Sequence, residues 1–268
     1  MSRAWAGFLA ASAAVFCVGP ALWQALLSLR PEAELTNMGL PSSLSLASYE
    51  AVFERHGFFH ALISSAIVAS ATTVIAVTIA AAAAFALAKL GMRSRRHILG
   101  AALVCSMLPP IATVSPLYLV VRAVGLRDQL PGLVLPYLGF ALPLAIWVLT
   151  DFFAGLPDEL YRAALVDGCS PWQAFRKVYV PLARPGVFTT AILVFVQANS
   201  ELLFAMTFTS SPEKRTVPVA IVLFAAEHRE PFGEMAAAAT VATLPLVILA
   251  LIFQRRVVAG LTAGAVKG

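Results

Sequence analysis

The sequence has 268 residues, of which 60% are hydrophobic and only 12% are charged, and its formal net charge is +5. A soluble globular domain has about a quarter of its residues charged, so this composition excludes an ordinary water-soluble fold. No arginine-rich run or alternation of aromatic and basic residues is present, which argues against a nucleic-acid partner. Three cysteines are too few and too scattered to form a disulfide framework.

Six apolar blocks follow one another along the chain, each long enough to cross a bilayer as a helix of about 20 residues. A helix satisfies its own backbone donors and acceptors in lipid, so each block is predicted to be a membrane span. The predicted fold class is therefore an all-α integral membrane protein, with one domain over residues 1–268 and six spans. The spans cover residues 5–29, 61–88, 98–121, 132–153, 186–208 and 235–254.

The first block is interpreted as a retained span. Its apolar run is longer than the core of a secretory signal, and no convincing small-residue cleavage site follows it. A cleaved signal peptide is the alternative. Prolines interrupt the third and fourth blocks, where they kink the helices around a cavity or only aid packing. They are Pro109, Pro110, Pro116, Pro136 and Pro143.

Six spans place both termini on one side of the membrane. If that side is the cytoplasm, the inner segments hold 12 of the 19 basic residues, and the outer loops hold seven basic residues beside nine acids. Cytoplasmic loops of membrane proteins carry an excess of lysine and arginine. The sequence thus predicts cytoplasmic termini and a cytoplasmic loop over residues 155–185.

The loop over 155–185 is predicted to contain two short helices. Residues 159–166 are good helix formers, and Asp167-Gly168 is a stop signal because glycine readily adopts the left-handed conformation that ends helices. The segment Ser170–Gln173 is a capping box with proline at the first helical position, so a second helix starts there. We expect Val180-Pro181 to break that second helix.

Two interpretations of this loop remain open on physical grounds. Ala163 and Ala164 leave a low surface that another protein's backbone can approach, which favours a docking surface. The other interpretation is an interfacial helix on the lipid headgroups, held by Arg176 and Lys177. The larger apolar side chains exceed what a solvated loop needs; they are Leu160, Val166, Trp172 and Phe175.

The segment PDELYRAALVDGCSPWQAFRKVYVPLARPG resembles the EAA loop of permease subunits in binding-protein-dependent ABC importers. A second segment, QRRVVAGLTAGAVKG at the C-terminus, is similar to the tail of carbohydrate-importer permeases of the maltose and trehalose type. The resemblance implies that the loop is a coupling loop that contacts an ATPase. Its coupling residues would be Glu159, Arg162, Ala163, Ala164, Asp167, Gly168 and Pro181.

One position departs from the family pattern. The glutamate that usually precedes the two alanines is Arg162 here, and Glu159 lies three residues earlier on nearly the same helical face. In the family that glutamate faces the ATPase. Its salt-bridge partner is therefore expected to be rearranged or absent in this protein.

The chain lacks the phosphate-binding sequence GxxxxGK[ST], so ATP hydrolysis has to come from another polypeptide. The resemblance implies a homologous permease, two ATPase subunits that hold ATP and Mg, and an extracytoplasmic substrate-binding protein. This chain would carry no catalytic residue, metal or cofactor. The tail over residues 255–268 would insert between the ATPases through Gly260, Leu261, Thr262 and Gly264; a frayed terminus is the alternative.

The spans carry few ionisable groups, which argues against an ion-coupled proton relay. Glu201 is the exception, with Gln197 and Asn199 nearby, and a neutral polyol could use it as an acceptor while Phe195 or Phe204 offers an aromatic platform. The competing interpretation of Glu201 is a polar residue that packs helices. The resemblance implies a sugar, best trehalose or a maltose-like disaccharide, with glycerol phosphate or another polyol as the alternative.

Three other protein classes are alternatives to an importer subunit. A secondary transporter should show inverted repeats and several buried charges, and an intramembrane enzyme should hold a nucleophile with a histidine or paired acids in a span. Neither pattern is clear in the sequence. A membrane scaffold without energy coupling remains, and copurification of an ATPase separates it from an importer subunit. The expected location is the cytoplasmic membrane of a prokaryote.

Overall fold

The computed structural model describes residues 3–35, 39, 41–54, 57–227 and 232–265, and all the regular secondary structure in these ranges is helical. Side chains at 3, 4, 6, 225–227 and 254–265 are outside the description. Two 3₁₀ turns (Glu32–Glu34, Pro212–Lys214) and one π-helical turn (Phe175–Tyr179) accompany the α-helices. The helices are α1 (Arg3–Ser28), α2 (Ala47–Glu54), α3 (Phe58–Lys89), α4 (Arg95–Ser106), α5 (Pro110–Ala123), α6 (Leu130–Gly155), α7 (Asp158–Val166), α8 (Pro171–Ala174), α9 (Val180–Leu182), α10 (Arg184–Asn199), α11 (Leu203–Phe208), α12 (Val217–Glu227) and α13 (Phe232–Ala265).

Four helices of the described ranges are long and apolar enough to cross a membrane unaided. They are α1 from Gly7, α3, α6 and α13 as far as Phe253. These helices stand where the first, second, fourth and sixth spans were predicted. Two further pairs of helices reach the same length and hydropathy only when each bent pair is counted as one span, which brings the number to six.

The third predicted span, residues 98–121, is interrupted at the prolines, as the sequence indicated, and the bend is larger than a kink. Helices α4 and α5 meet at an angle of 93°. Pro109 has an extended backbone and Pro110 opens α5, because proline has no N–H to continue a helix and disfavours helical geometry in the residue before it. At 12 residues, α4 rises only about 18 Å, which is less than the bilayer core.

The fifth predicted span, residues 186–208, is also interrupted. Helix α10 ends at Asn199 and α11 begins at Leu203, so a continuous helix over this block is a wrong prediction. At this break, the Glu201 carboxylate accepts hydrogen bonds from amides in the first turn of α11. At its other end, α10 is bent by 79° from the helical segment that precedes it.

The chain divides into two compact units, and the first comprises Met1–Leu62 and Val217–Val247. Its core contains Val52 and Phe58, both fully buried, and Phe224, whose ring centroid lies 6.0 Å from that of Phe58. Helix α13 approaches closely enough that a Cβ on Gly233 would stand 2.7 Å from the Ser48 hydroxyl oxygen.

The second unit comprises Ile63–Thr216 and Ile248–Gly268. Its core is built on a row of alanines along α3, which includes Ala76, Ala80 and Ala84 and lets neighbouring backbones come close. Leu149 and Phe153 of α6 and the π-helical turn complete this core. The predicted coupling loop lies in this unit, packed directly on the ends of two spans.

Candidate functional site

The first helix of the predicted coupling loop is α7, and its boundaries match the sequence prediction closely. Asp158 and Glu159 occupy its first turn, where negative charge is favourable to the helix dipole. After Val166 the chain reverses at Gly168, whose φ of 83° is the left-handed conformation expected of the stop signal. The Cys169 amide donates to the Ala164 carbonyl at 2.9 Å and closes the helix.

The second helix begins with a capping box, as predicted. The Gln173 amide donates to the Ser170 hydroxyl oxygen at 3.3 Å, and the Ser170 amide donates to the Gln173 side-chain oxygen at 2.8 Å. Only residues 167–170 separate the two helices. Both adjoining helix ends are therefore satisfied locally, and the connection is short and closed by hydrogen bonds.

The predicted break at Val180-Pro181 is wrong, because helical geometry continues through Pro181 to Leu182. The π-helical turn explains this: the Val180 amide reaches the Phe175 carbonyl, five residues earlier. The turn thus ends before Pro181, which has no N–H to contribute. The sharp change of direction comes later, at Ala183 between α9 and α10.

The predicted coupling residues divide between the two faces of the loop. Ala164 is 5% exposed and packs inward, so its prediction as part of an accessible surface is wrong; successive helical residues are about 100° apart, and Ala163 alone faces outward. Pro181 is half-buried. The exposed members of the set are Glu159, Arg162, Ala163, Asp167 and Gly168.

Two large apolar side chains stand on the outer face of this loop. Val166 is 88% exposed and Trp172 is 62% exposed, whereas Phe175 is buried. The outer face therefore combines charged side chains with apolar ones, which is the usual composition of a protein contact with a polar rim. A solvated loop would not need to present these two side chains.

The inner face of the loop is held by a cluster of aromatic rings centred on Phe85 of α3. The Phe85 ring centroid lies 5.2 Å from both Phe175 and Tyr179, 5.9 Å from Tyr161, and 6.2 Å from Phe153 of α6. Such ring pairs contribute about 0.5–1.5 kcal/mol each beyond their buried area. The cluster fastens both helices of the loop to two spans.

Lys89, the last residue of α3, lies beside this cluster. Its ammonium group donates to the Leu156 carbonyl at 2.7 Å and to the Asp158 carboxylate at 2.5 Å. The Lys89 hydrogen bond and charge hold the pKa of Asp158 below its usual range. The sequence alone indicates only an inner-side charge at Lys89, because 69 positions separate it from Asp158 and no local pattern links them.

The predicted ATPase-contacting residues lie at the end of α13. The helical backbone runs to Ala265 and includes Gly260, Leu261, Thr262 and Gly264. Their side chains, and all of residues 266–268, fall outside the described part of the chain. Insertion of this tail into a partner stays a prediction.

Of the three residues predicted for the substrate pathway, one lines the cavity that the structure describes in the second unit. Gln197 lines a cavity of about 230 Å³ in the second unit, whereas Asn199 and Glu201 do not. Two aromatic side chains and a hydroxyl accompany Gln197. The lining residues are Leu103, Ser106, Phe140, Pro143, Leu144, Trp147 and Gln197.

The Glu201 side chain instead caps the N-terminal end of α11. Its two carboxylate oxygens accept the amides of Phe204 at 2.9 Å and Ala205 at 3.2 Å. Phe204 is 1% exposed and packs between Phe140 and Phe208, so the predicted platform role is wrong for this ring. The rings that face the cavity are those of Phe140 and Trp147.

Comparison with known proteins adds a family and several relatives. The family described as binding-protein-dependent transport system inner membrane component matches residues 75–262. The trehalose transport system permease protein SugB of Mycobacterium tuberculosis (strain CDC 1551 / Oshkosh) is 48% identical over 252 residues, which cover 93% of this chain and 92% of that protein. The sulfoquinovosyl glycerol transport system permease protein SmoH of Agrobacterium fabrum (strain C58 / ATCC 33970) is 40% identical, over 93% of this chain and 88% of that protein.

Among solved structures, the fold is similar to a chain in the crystal structure of a bacterial ABC transporter involved in the import of the acidic polysaccharide alginate. The TM-score is 0.76, with 20% sequence identity, and the match covers 95% of this chain and 98% of that chain. The two chains thus share the same helical fold.

Proposed function

Because this chain belongs to the family of binding-protein-dependent transport system inner membrane components, we propose that it is the permease subunit of an ATP-driven sugar importer and forms half of the translocation pathway. The observation that carries the proposal is the loop around α7 and α8. Its outer face presents Val166 and Trp172 for docking, while its inner face is packed on Phe85 and bonded to Lys89.

The complete importer, in this proposal, contains a homologous permease, two ATPase subunits and an extracytoplasmic substrate-binding protein. ATP and Mg bind to the ATPases, since this sequence has no phosphate-binding loop. The exposed coupling residues Glu159, Arg162, Ala163, Asp167 and Gly168 meet the ATPase, with Val166 and Trp172 in the same contact. The tail residues of α13 add a second contact.

Force transmission follows from the way the loop is built. When the ATPases close on ATP, they displace the loop, and a displacement is useful only if the loop does not deform. The Ser170–Gln173 capping box and the Gly168 turn close both helix ends. The rings around Phe85 then pass the displacement to α3 and α6, which rearrange the pathway.

The proposed cargo is a neutral disaccharide, with trehalose favoured over other sugars. The relative named for trehalose is 48% identical and the relative named for sulfoquinovosyl glycerol is 40% identical, and both named cargoes contain a sugar unit. The cavity beside Gln197 offers what a sugar requires: ring faces on Phe140 and Trp147, and polar groups on Ser106 and Gln197. Glycerol phosphate or another polyol is the alternative cargo, to be assayed next if trehalose is not transported.

Both termini and the loop are placed in the cytoplasm, with the chain in the inner membrane. The excess of basic residues in the inner segments supports this orientation. Single cysteines in a variant lacking Cys17, Cys105 and Cys169 test it. A membrane-impermeant maleimide should label Ser210→Cys in intact cells and should label Gln173→Cys only after the membrane is opened; the reverse pattern inverts the topology.

The central experiment reconstitutes the complete importer in liposomes and measures ATP hydrolysis together with trehalose uptake. Gly168→Pro is the test variant. Proline cannot adopt the φ of 83°, and it has no N–H to donate the hydrogen bond that Gly168 makes to the Leu165 carbonyl. Gly125→Pro is the matched control: Gly125 has a φ of 73° and donates to Arg122, away from the loop. We expect Gly168→Pro to hydrolyse ATP without uptake, and normal uptake in this variant would refute the role of the loop in force transmission. Absence of ATP-dependent sugar uptake by the native importer would refute the proposed function.

A further inference from the structure

Lys89 is a charged residue in an unusual environment. It ends a 32-residue apolar helix, and its side chain is only 2% exposed. Burying an ammonium group is costly unless the charge is paired and its donors are satisfied. A lysine serving only as an inner-side charge would extend into water, so the burial of Lys89 requires another explanation.

The contacts of Lys89 join three separate parts of the coupling loop. The Leu156 carbonyl lies at the C-terminal end of α6, the Asp158 carboxylate at the start of α7, and the Tyr179 ring, 5.6 Å from the ammonium group, on the π-helical turn. The Tyr179 hydroxyl in turn donates to the Pro157 carbonyl at 3.2 Å. One cation on α3 thus contacts both the entry and the exit of the loop.

These contacts differ in kind from the ring packing around Phe85. The burial of apolar surface, which provides most of the energy of ring packing, is non-directional, so a loop held by rings alone can shift slightly while it remains packed. The ion pair and the carbonyl bond fix one position of α7 relative to α3. Asp158 itself is 68% exposed, so the buried partner of the pair is the lysine and the accessible partner belongs to the loop.

We propose that Lys89 is a positioning residue that locks the coupling loop to α3. A displacement of the loop then moves α3 together with α6 and α10, the helices that precede and follow the loop in the sequence. The role in transport rests on the proposed function, since the displacement originates in the ATPases. The lock itself is a property of this chain. Without the lysine, the loop still docks and the ATPases still turn over, but α3 follows the loop less closely, because only the rings around Phe85 then connect them.

The test uses the complete reconstituted importer and three substitutions. Lys89→Met keeps the length and removes the charge, Lys89→Arg keeps the charge, and Asp158→Asn removes the exposed partner with little risk to folding. Arg93→Met, an exposed inner-side residue four positions later, is the control. We expect sugar uptake per ATP hydrolysed to fall about tenfold in Lys89→Met, an allosteric coupling of ordinary size. Lys89→Arg should retain at least half of the native ratio and Arg93→Met all of it.

Two further measurements test the Lys89 contact independently of which sugar is transported. Amide hydrogen exchange in Asp158–Val166 should accelerate in Lys89→Met and in Asp158→Asn, whatever sugar is transported. Asp158→Asn should add nothing in the Lys89→Met background, as expected of two residues acting through one contact. A native uptake ratio in Lys89→Met, or a fall in uptake and hydrolysis by the same factor, would overturn the inference. Failure of the native importer to carry trehalose would overturn only the cargo.

Discussion

Gly186 of α10 lies directly against the phenyl ring of Phe152 on α6, and α10 has no side chain of its own at this contact. A Cβ on Gly186 would stand 2.5 Å from Cγ of that ring, closer than two carbon atoms can approach. The obstructing atom is the root of the ring, which cannot swing aside without moving the rest of the side chain. The α6–α10 contact therefore depends on glycine.

Gly186→Ala should destabilise the protein by about 1–3 kcal/mol, the usual cost of overpacking a core. The measurement is thermal unfolding of the detergent-solubilised chain. Gly139→Ala on α6 is the control, since a Cβ there meets nothing within 4 Å. Equal unfolding temperatures for the two variants would show that the Phe152 ring yields freely.

Ser170→Ala removes the acceptor of the Gln173 amide and should cost about 1 kcal/mol in local stability. Because the cap holds the second helix of the coupling loop, we expect faster amide exchange in Pro171–Ala174 and less uptake per ATP hydrolysed. Ser94→Ala is a matched control, since Ser94 occupies the N-cap position of α4 and makes no capping hydrogen bond. Unchanged exchange in Ser170→Ala would contradict the role given to the capping box.

The features that the sequence predicted well are those made by neighbouring residues. The Ser170–Gln173 capping box and the Gly168 turn involve residues at most a few positions apart, and their chemistry is nearly independent of the rest of the fold. The alternation of apolar blocks with basic segments likewise located the four unbroken spans. Local chemistry and average hydropathy carried these predictions.

The features that escaped prediction depend on long-range packing. Lys89 meets Asp158 across 69 positions, and nothing in either local sequence indicates the contact. Hydropathy averages over a block and so hides a short break, which is why the break at Glu201 has no signal in the sequence. Pro109 and Pro110 do indicate an interruption, but not its angle of 93°. The inward orientation of Ala164 also had no local signal, because either alanine of the pair could face the core.

Asp128 should stabilise the chain in a pH-dependent way. With a φ of 59°, it sits in a conformation unusual for a non-glycine residue, and its carboxylate accepts the amide of Ser210 at 2.7 Å and both the hydroxyl and the amide of Ser211. The hydrogen bond from the Ser210 amide, followed by those from the Ser211 hydroxyl and amide, lowers the pKa of Asp128. A lowered pKa in the folded state means that the stabilisation is present above the unfolded value and is lost as the pH falls through the folded value.

Asp128→Asn isolates this charge, since asparagine tolerates the same backbone conformation. We expect native protein to melt above the variant by a constant margin between about pH 5 and 8, and the margin to shrink below about pH 4, near the unperturbed value of aspartate. Glu213→Gln, at an exposed carboxylate outside the spans, is the control. A margin that persists at lower pH would mean that the carboxylate charge is not what holds Ser210 and Ser211.

Glu201 and Gln197 should have different roles, in stability and in transport respectively, although the sequence predicted both for the substrate pathway. Glu201 is committed to the amides of Phe204 and Ala205, so Glu201→Gln should lower the melting temperature by the equivalent of about 1 kcal/mol while uptake per folded importer stays native. Gln197 lines the cavity, so Gln197→Ala should slow uptake several-fold with an unchanged melting temperature, the cost of one hydrogen bond of about 1 kcal/mol to the cargo. Reduced uptake per folded importer in Glu201→Gln, beside native uptake in Gln197→Ala, would place the pathway along α11 instead of the cavity between Phe140 and Trp147.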